Sequence, residues 1–348
     1  MSRILVTGGA GYIGSHMCWE LVGRGHEVLV IDDLSTGHEQ ALPPGTTLLR
    51  GQVGAPEIAA ALAHEHARSP LAGAMHFAAK ARVDESVRFP DLYFEHNTQQ
   101  TLRLAQQLRE LKVPWFMLSS TAAVYGNTSG ELIREDHPVA PASPYGESKL
   151  RAELGLRDWA ASGGERVAIL RYFNVAGADP EMRTGQSTPQ ATHLIKLAAQ
   201  TVVAFERGQA SGASSSVSPT MQIHGTDYPT HDGTCLRDYV HVSDIAGAHL
   251  AVMESLMNST TSSRDARVFN VGYGQPYSVR EVLACMQDVS GVKFPIVEGP
   301  RREGDVVRVA CDSRRLQAET GWAPRFADLK LICQTALAWE RRLAARTL

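Results

Sequence analysis

The sequence predicts an α/β protein built on a doubly wound parallel sheet, with a smaller α+β lobe in its C-terminal part. Two observations lead to this prediction. Through the first half of the 348 residues, short apolar runs typical of buried strands alternate with helical patterns. After about residue 180 this alternation fades into shorter strands and helices, which indicates a second lobe packed at the carboxyl edge of the sheet.

The strands and helices of the first half follow each other in chain order. Buried strands are expected over residues 4–6, 27–31, 46–49, 72–77, 115–119 and 167–173. Helices are expected from residue 12, over 55–66, over about 92–111 and from Ser143 onwards. Ser143 is a suitable N-cap, and Pro144 suits the first turn of the last of these helices.

The second half carries weaker signals. Strands are expected over residues 238–242, 268–271 and 294–297, and helices from 244, over 279–289 and over 329–341. The Gly/Ser/Ala-rich stretch 208–218 is typical of a flexible surface loop.

The composition is that of a soluble globular protein, with 43% hydrophobic and 20% charged residues. A net charge of −3 provides no basic footprint for nucleic acid or for an anionic membrane. No apolar run approaches the roughly 20 residues of a membrane span, and the chain enters a strand at once, without signal-peptide anatomy. We therefore expect a cytoplasmic protein with no nucleic-acid partner and no membrane partner.

The cysteines and histidines give no sign of a metal site. The 5 cysteines are odd in number and none form a C-x-x-C pair, which argues against a disulfide framework and against zinc. His64, Glu65 and His66 are neighbours that face different ways on a helix, so we expect a solvated helix end there. We expect buried free thiols and no bound metal.

The stretch from Arg3 to Gly14 is the strongest functional signal. Gly8-x-x-Gly11-x-x-Gly14 stands between a strand and a helix, where glycines let backbone N–H groups approach a pyrophosphate at the positive helix end. The first gap is one residue longer than in the Rossmann pattern G-x-G-x-x-G. Asp32 follows at the end of the second strand, where an acidic side chain binds the adenosine ribose and repels a 2′-phosphate. These residues favour NAD over NADP; a glycine-rich turn without a ligand is the simpler alternative.

Tyr145 and Lys149 lie four residues apart just inside a helix, so their side chains share one face. A cation beside a phenol lowers the phenol pKa and makes a tyrosine usable as a general base near neutral pH. A surface Tyr–Lys pair would have the same spacing. The upstream dinucleotide turn and the hydroxyl of Thr121, at the end of another strand, favour the catalytic interpretation.

These motifs together resemble the extended short-chain dehydrogenases/reductases, and within them the chain is similar to the UDP-glucose 4-epimerases. The runs that carry the similarity cover nearly the whole chain in the family's order. They are Gly8 to His16, His76-Phe77-Ala78-Ala79, Glu85-Ser86-Val87, Ser119-Ser120-Thr121, Tyr145-x-x-x-Lys149, Arg171-Tyr172-Phe173-Asn174, Tyr228-Pro229-Thr230, Asp232-Gly233-Thr234, Arg237-Asp238-Tyr239 and Arg301-Arg302-Glu303-Gly304-Asp305.

The resemblance implies interconversion of UDP-glucose and UDP-galactose at C4, with tightly bound NAD. Tyr145 would take the proton from the sugar 4-hydroxyl while the C4 hydride passes to NAD, and Thr121 would bridge that hydroxyl and Tyr145. Lys149 would lower the pKa of Tyr145 and bind the nicotinamide ribose. The 4-keto sugar would turn over within the pocket and take the hydride back on its other face.

The resemblance also implies which residues contact the ligands. Around NAD these would be Gly8, Gly11, Tyr12, Ile13, Gly14, Asp32, Gln52, Val53, Phe77, Ala78, Ala79, Lys80, Asn97, Tyr145, Lys149 and Phe173. Around the UDP-sugar they would be Thr121, Asn174, His193, Leu194, His224, Arg237, Arg302, Asp305 and Val309. Residues 1–180, with a later contribution from about 235–257, would form the NAD-binding Rossmann domain, and 181–348 the nucleotide-sugar-binding lobe.

Four positions depart from the family pattern. Gln52-Val53 stands where the family has Asp and an apolar residue against adenine, so weaker adenine recognition is expected. His193 replaces an Asn, and His224 replaces an aromatic residue that stacks on uracil. Lys80 is offset by one position from the lysine of some relatives.

Val309 lies seven places after Arg302, where the family sets the width of the sugar pocket. A tyrosine there admits only glucose and galactose. Valine predicts room for a 2-acetamido group, so UDP-N-acetylglucosamine and UDP-N-acetylgalactosamine would also be interconverted. An ordinary apolar strand residue is the alternative interpretation of Val309.

Two other functions share the dinucleotide-binding motifs, but each lacks support at particular residues. A nucleotide-sugar 4,6-dehydratase has Asp-Glu directly after the threonine, and Ala122-Ala123 of this chain cannot transfer protons. A catalytically dead NAD-sensing regulator would have lost the Tyr or the Lys, and both are present. The resemblance further implies a role in galactose metabolism and a homodimer joined through the helices near 92–111 and 144–162.

Overall fold

The computed structural model describes residues 1–128, 130–163, 165–188, 192–210, 219–258, 265–302 and 304–346. The elements of the first part are β1 (Arg3–Thr7), α1 (Tyr12–Gly23), β2 (Glu27–Asp32), β3 (Thr47–Arg50), α2 (Pro56–Arg68), β4 (Leu71–His76), α3 (Val83–Arg88), α4 (Pro90–Tyr93), α5 (Gln100–Glu110), β5 (Trp115–Thr121), α6 (Pro144–Gly163) and β6 (Arg166–Tyr172). The remaining elements are β7 (Asn174–Ala176), α7 (Leu194–Ala210), β8 (Met221–His224), β9 (Leu236–His241), α8 (Val242–Asn258), β10 (Arg267–Val271), β11 (Pro276–Ser278), α9 (Val279–Ser290), β12 (Ile296–Gly299), β13 (Arg308–Val309), α10 (Arg314–Thr320) and α11 (Leu329–Arg346).

Seven parallel strands of the described chain form the central sheet, in the order β10-β6-β5-β4-β1-β2-β3. The predicted doubly wound Rossmann arrangement is therefore confirmed. The order reverses between β1 and β4, so the glycine turn after β1 lies at the switch point where such folds bind ligands. The edge strand β10 comes from within the range 181–348, so the sheet draws residues from the range predicted for the second lobe.

The first strand shows how an almost continuous apolar run supplies two cores. All of β1 is buried. Ile4 and Val6 belong to one core with Met17 of α1, while Leu5 belongs to the opposite core with Leu104 of α5. Successive strand residues face opposite sides of a sheet, so a parallel strand covered by helices on both faces is apolar at every position.

The second lobe is built on a smaller sheet. In it β9 pairs with β7, β11 and β13, and β8 pairs with β12 alongside. Helices α7, α9 and α11 cover a third core that includes Ile195, Leu283 and Ile332. Because β7 follows β6 almost directly and pairs with β9, the small sheet is attached at the carboxyl end of the central sheet.

The helix predicted over 92–111 is correctly placed, but it is not α-helical along its whole length. It comprises α4, a π-helical stretch over Phe94–Gln99 and α5. The π stretch places Asn97 in the interior, where its side chain exchanges two hydrogen bonds of 2.9 Å with the backbone of Lys80. This tertiary contact leaves no trace in the hydrophobic periodicity. Helices α3, α7 and α10 were not predicted either.

Two sequence-based expectations concern the loop at 208–218 and the helix end at 64–66. Residues 208–210 continue α7, and the rest of that loop lies outside the described residues. The expectation of a solvated helix end is wrong for Glu65, which is buried and accepts hydrogen bonds from Arg3 (2.7 Å) and Arg68 (2.8 Å). The guanidinium of Arg3, the first residue of β1, is buried and requires a counter-charge, which Glu65 supplies.

Among the described residues, no group of three or more His, Cys, Asp and Glu side chains is placed to hold a metal ion. Within the same ranges, no helix is both long and apolar enough to cross a membrane.

Candidate active site

The glycine turn packs too tightly for side chains at two of its positions. Gly8 has a φ of +69°, and a Cβ there would lie 2.5 Å from the backbone nitrogen of Ala78. A Cβ on Gly14 would lie 2.1 Å from the carbonyl oxygen of Gly8. These contacts bring the start of α1 against the turn and bring the turn against the segment after β4.

The carboxylate of Asp32 holds this turn from the neighbouring strand. Its Oδ2 accepts the Ala10 N–H at 2.9 Å, and its Oδ1 accepts the Leu34 N–H at 2.8 Å. Burial raises the pKa of Asp32 above its ordinary value, and the two backbone N–H groups act in the opposite direction. Each oxygen keeps a further acceptor position, which is what ribose hydroxyls require.

The turn has the properties of a pyrophosphate cradle. Helix α1 starts at Tyr12 with Gly11 as N-cap, and no side chain of the described residues caps it. A Cβ on Gly11 would meet only the Gly8 carbonyl, at 3.2 Å, so the outer side of the turn is open. Tyr12 and Ile13 form the first turn of α1, and the Tyr12 hydroxyl donates to the Gly177 carbonyl at 2.7 Å. Open backbone at a helix N-terminus fits a dinucleotide phosphate.

The other predicted NAD residues surround this turn. Gln52 is exposed, with its amide nitrogen 3.3 Å from Nε2 of His96, while Val53 is buried. Phe77 lies after β4 with its ring 4.8 Å from the ring of His249, and Phe173 is buried after β6. The remaining predicted members, Ala78, Ala79 and Lys80, follow Phe77 in the same segment, with Ala79 exposed.

Ser148 joins the cofactor segment to the catalytic helix. Its hydroxyl donates to the Tyr145 carbonyl at 2.8 Å and accepts from the Asn97 amide at 3.0 Å. Asn97 in turn holds Lys80, so one buried chain of hydrogen bonds sets the distance between α6 and the segment after β4. The sequence prediction did not include Ser148, although it lies within Tyr145-x-x-x-Lys149.

The three predicted catalytic residues meet at the carboxyl end of β5. Thr121 stands next to Tyr145 and acts to lower the pKa of the phenol, and the Thr121 oxygen accepts the Ala123 N–H at 3.1 Å. The ammonium of Lys149 is buried and donates to the Ser119 carbonyl at 2.8 Å. Strand β5 therefore presents one partner to each of the two side chains of α6.

The electrostatics of Tyr145 differ from the sequence-based expectation. Burial raises the pKa of Tyr145 above its ordinary value, and the neighbouring Thr121 acts to lower it. Burial also lowers the pKa of Lys149 to about 8, while the carboxylate of Glu153 acts to raise it. Residue spacing reveals that the charge of Lys149 is near Tyr145. It does not reveal the loss of solvent around both groups, which opposes both ionised forms.

A buried ion pair beneath the catalytic residues was missed by the sequence analysis. Glu153 lies one turn beyond Lys149 on α6 and pairs with Arg171 of β6 at 2.5 Å, both side chains being almost fully buried. Glu153 also accepts from the Ser120 hydroxyl at 2.5 Å. Since Ser120 lies between Ser119 and Thr121, this pair fixes the strand end that contacts Lys149 and Tyr145. The spacing of Tyr145, Lys149 and Glu153, each four residues apart, was the available signal.

The predicted substrate residues fall into two groups. Asn174, His193 and Leu194 line one small cavity of about 20 Å³, which Lys196 and Trp339 also line. The first of these residues begins β7, and the other two stand at the start of α7. The structure therefore brings these three residues together although they are about twenty positions apart in sequence.

The second group lies on β8, β9, β13 and the segment before β13. Arg237 donates to Asp305 at 3.0 Å and to the carbonyl of Val306 at 2.9 Å. Val309 is the register partner of Arg237 in the pairing of β13 with β9. The exposed Arg302 acts electrostatically on His224, and desolvation together with this positive charge lowers the pKa of His224. All these residues are thus neighbours at one end of the small sheet.

Comparison with known proteins shows to which family this chain belongs. A model of the NAD dependent epimerase/dehydratase family matches residues 4–272. This chain belongs to that family. Membership in the NAD dependent epimerase/dehydratase family identifies NAD as the cofactor and agrees with the cradle formed by Gly8, Gly11, Gly14 and Asp32.

Individual relatives within the epimerase/dehydratase family match over the full chain. The UDP-glucose 4-epimerase of Azospirillum brasilense is 43% identical over 341 residues, covering 98% of this chain and 92% of that protein. The UDP-glucose-4-epimerase of Stenotrophomonas maltophila, crystallised with NAD and formylated UDP-arabinopyranose, is 33% identical with a TM-score of 0.89, covering 99% of this chain and 100% of that one. The UDP-Glc/GlcNAc 4-epimerase of Campylobacter jejuni is 38% identical with a TM-score of 0.80, covering 98% and 100%.

Proposed function

We propose that this chain is a UDP-glucose 4-epimerase, which interconverts UDP-glucose and UDP-galactose and keeps NAD bound throughout. The observation that carries the proposal is the meeting of three side chains at the carboxyl end of β5: Tyr145 beside Thr121, and the buried Lys149, which donates to the Ser119 carbonyl at 2.8 Å. A phenol, a hydroxyl and an ammonium at the carboxyl edge of a dinucleotide-binding sheet suit proton removal from an alcohol.

Each catalytic side chain has one task in this proposal. Bound NAD supplies a reversible hydride acceptor at the sugar C4. Tyr145 accepts the proton of the 4-hydroxyl and later returns it, while Thr121 orients both oxygens. Lys149 carries a positive charge that favours the phenolate, offsetting the burial that raises the pKa of Tyr145.

The two groups of substrate residues suit the two parts of a UDP-sugar. Asn174, His193 and Leu194 would bind the diphosphate from one side of the cavity. Arg237 and Arg302, at the end of the small sheet, would neutralise its charge, because guanidinium groups match phosphate oxygens in geometry and sign. Asp305 would accept the uridine ribose hydroxyls, and the ring of His224 would stack on uracil.

The rival functions lack residues that they need. Ala122 and Ala123 form the 3₁₀ turn directly after β5, so no proton-transferring side chain stands where a 4,6-dehydratase has its acid/base pair. A dead NAD-sensing regulator has no use for a tyrosine beside Thr121 and a buried lysine on the same helix face.

We also propose the wider specificity predicted from Val309. Its side chain is half-buried on β13, beside Arg237. The Campylobacter jejuni relative is described as acting on UDP-Glc and GlcNAc. Val309→Tyr is expected to abolish turnover of UDP-N-acetylgalactosamine, by a steric clash, while turnover of UDP-galactose continues. Assays of both substrates on both proteins test this, and a wild-type protein inert towards the acetamido sugar would contradict it.

The assembly and setting are further proposals. We propose a cytoplasmic homodimer acting in galactose metabolism, joined through the helices near 92–111 and 144–162. Leu92 and Leu154 on these helices have 36% and 48% of their surface exposed, which supplies apolar area for such an interface.

The proposed function is tested by incubating the purified protein with UDP-galactose and no added NAD. We expect UDP-glucose as the product, with no net formation of NADH. A product that is a 4-keto-6-deoxy sugar would favour the dehydratase, and an unchanged substrate would favour the regulator.

A further inference from the structure

A chain of polar contacts runs from the C-terminal helix α11 to the proposed diphosphate residue His193. The Lys196 ammonium, 6% exposed, forms a short contact with Glu340 of α11 and donates to the Gln186 carbonyl at 2.7 Å. The amide nitrogen of Gln186 lies 2.8 Å from Nδ1 of His193. Three buried or half-buried links thus connect Glu340 with an imidazole that lines the cavity beside Asn174.

The position of Lys196 is unfavourable for the helix that carries it. Lys196 lies in the first turn of α7, where the helix dipole repels a positive charge. A buried ammonium also loses solvation that only paired acceptors can replace. Glu340 and the Gln186 carbonyl are those acceptors, so the conformation of the segment before α7 depends on this ion pair.

The contact from Gln186 determines which nitrogen of His193 carries hydrogen. An amide nitrogen only donates, so Nδ1 of His193 accepts and the ring hydrogen is on Nε2. Surrounding protein atoms partly desolvate the ring and lower the pKa of His193, which favours this neutral form. His193 therefore offers one directed N–H donor to an anion in the cavity.

We propose that Lys196 and Glu340 are positioning residues, which act through Gln186 to aim the Nε2–H of His193 at a diphosphate oxygen of the substrate. The inference rests on the proposed function, since it takes the anion to be the diphosphate of a UDP-sugar. Neither Lys196 nor Glu340 belongs to the residues proposed to act at the sugar C4, so we expect their effect to be on substrate binding rather than on chemistry.

The test compares substitutions along this chain of contacts. Glu340→Gln and Lys196→Met break the ion pair, and Gln186→Met removes the amide donor while leaving the ion pair in place. For each we expect KM for UDP-galactose and the dissociation constant for UDP to rise about tenfold, the effect of one hydrogen bond to a charged group. We expect kcat to stay within about twofold, because no group at the sugar C4 has changed.

Arg341→Gln is the matched control. Arg341 is the next residue of α11 and pairs with Glu206 of α7, so this ion pair joins the same two helices. Its side chains are 47% and 34% exposed, against 6% and 12% for Lys196 and Glu340. We expect no change in KM or in UDP affinity for this variant.

The outcomes separate the inference from the proposed function. The inference alone is overturned if the wild-type protein epimerises UDP-galactose while Gln186→Met and Glu340→Gln bind UDP as Arg341→Gln does. A fall in kcat at unchanged KM overturns it as well, since that pattern indicates a general structural disturbance. A wild-type protein that neither binds UDP nor converts UDP-galactose overturns the proposed function and this inference with it.

Discussion

At the residue scale, the chemistry depends on side chains whose ionisation the fold opposes. Burial raises the pKa of Tyr145 and lowers that of Lys149 to about 8. Burial therefore shifts both groups towards their neutral forms, although a lysine with a pKa of about 8 is still mostly protonated at pH 7. We propose that their placement on one face of α6 lets the charge of Lys149 act on Tyr145. The carboxylate of Glu153 acts to raise the pKa of Lys149.

Tyr145→Phe is expected to lower kcat by at least about 10²–10⁴-fold, the usual range for a general base, because proton transfer is lost in both directions. UDP affinity should be unchanged, which calorimetry can measure. Tyr93→Phe is the control, since its ring packs edge-on against Tyr145 at 6.3 Å but its hydroxyl donates to Glu85. Equal losses of turnover in the two variants would contradict the assigned role of Tyr145.

Lys149→Met is expected to move the rising limb of the pH–rate profile to higher pH. The lysine cation favours the phenolate, so its removal raises the pKa of Tyr145 and more alkaline solution is needed to ionise it. An opposite charge at close range is worth about one to three pH units. The exposed Lys330→Met should retain the wild-type profile. A wild-type profile for Lys149→Met would show that its charge does not act on Tyr145.

At the element scale, the glycine turn couples cofactor binding to the packing of α1. A Cβ at Gly14 meets backbone atoms of Gly8 and Gly9 within 3 Å, and these atoms belong to the turn itself. The turn cannot move away without losing the hydrogen bond from Ala10 to Asp32. The close packing of α1 against the turn and the proposed cofactor site therefore depend on the same glycine residues.

Gly14→Ala is expected to abolish retention of NAD during purification and to lower the melting temperature, because the added methyl collides with backbone. Gly23→Ala, at the other end of the same helix, is the control, since nothing lies within 4 Å of its added Cβ. Alanine favours helix over glycine by about 0.8–1 kcal/mol, so Gly23→Ala should be neutral or stabilising. The absorbance of released NAD and thermal melts measure both effects; an NAD-loaded Gly14→Ala protein would contradict the cradle assignment.

The elements that could be predicted from the sequence are those that a short run of neighbouring residues determines. The strands β1 to β6 are apolar runs, and the turn at Gly8 is a glycine cluster. The π-helical stretch around Asn97 arises from contacts between distant segments, so no local pattern reveals it. The spacing of Glu153 places it on the face of Lys149, but its partner Arg171 lies on another element, and local sequence does not identify it. The direction of the Tyr145 pKa shift was likewise out of reach, since residue spacing gives proximity and not burial.

At the scale of the whole molecule, the site lies where the two sheets join. The central sheet contributes the glycine turn, Thr121 and the helix with Tyr145. The strands β7, β9 and β13 carry Asn174, Arg237 and Val309, the residues proposed to bind the substrate. This division suits the proposed reaction. One lobe would bind the cofactor and the other the nucleotide, so the sugar could rotate between them.

The central claim is that the hydrogen removed from the sugar C4 returns to the same carbon. UDP-galactose carrying deuterium at C4 tests it most directly, with the purified protein, no added NAD and mass spectrometry of the product. The account predicts UDP-glucose that retains the deuterium at C4. Loss of the label to solvent, or its appearance at another carbon of the sugar, would contradict the account.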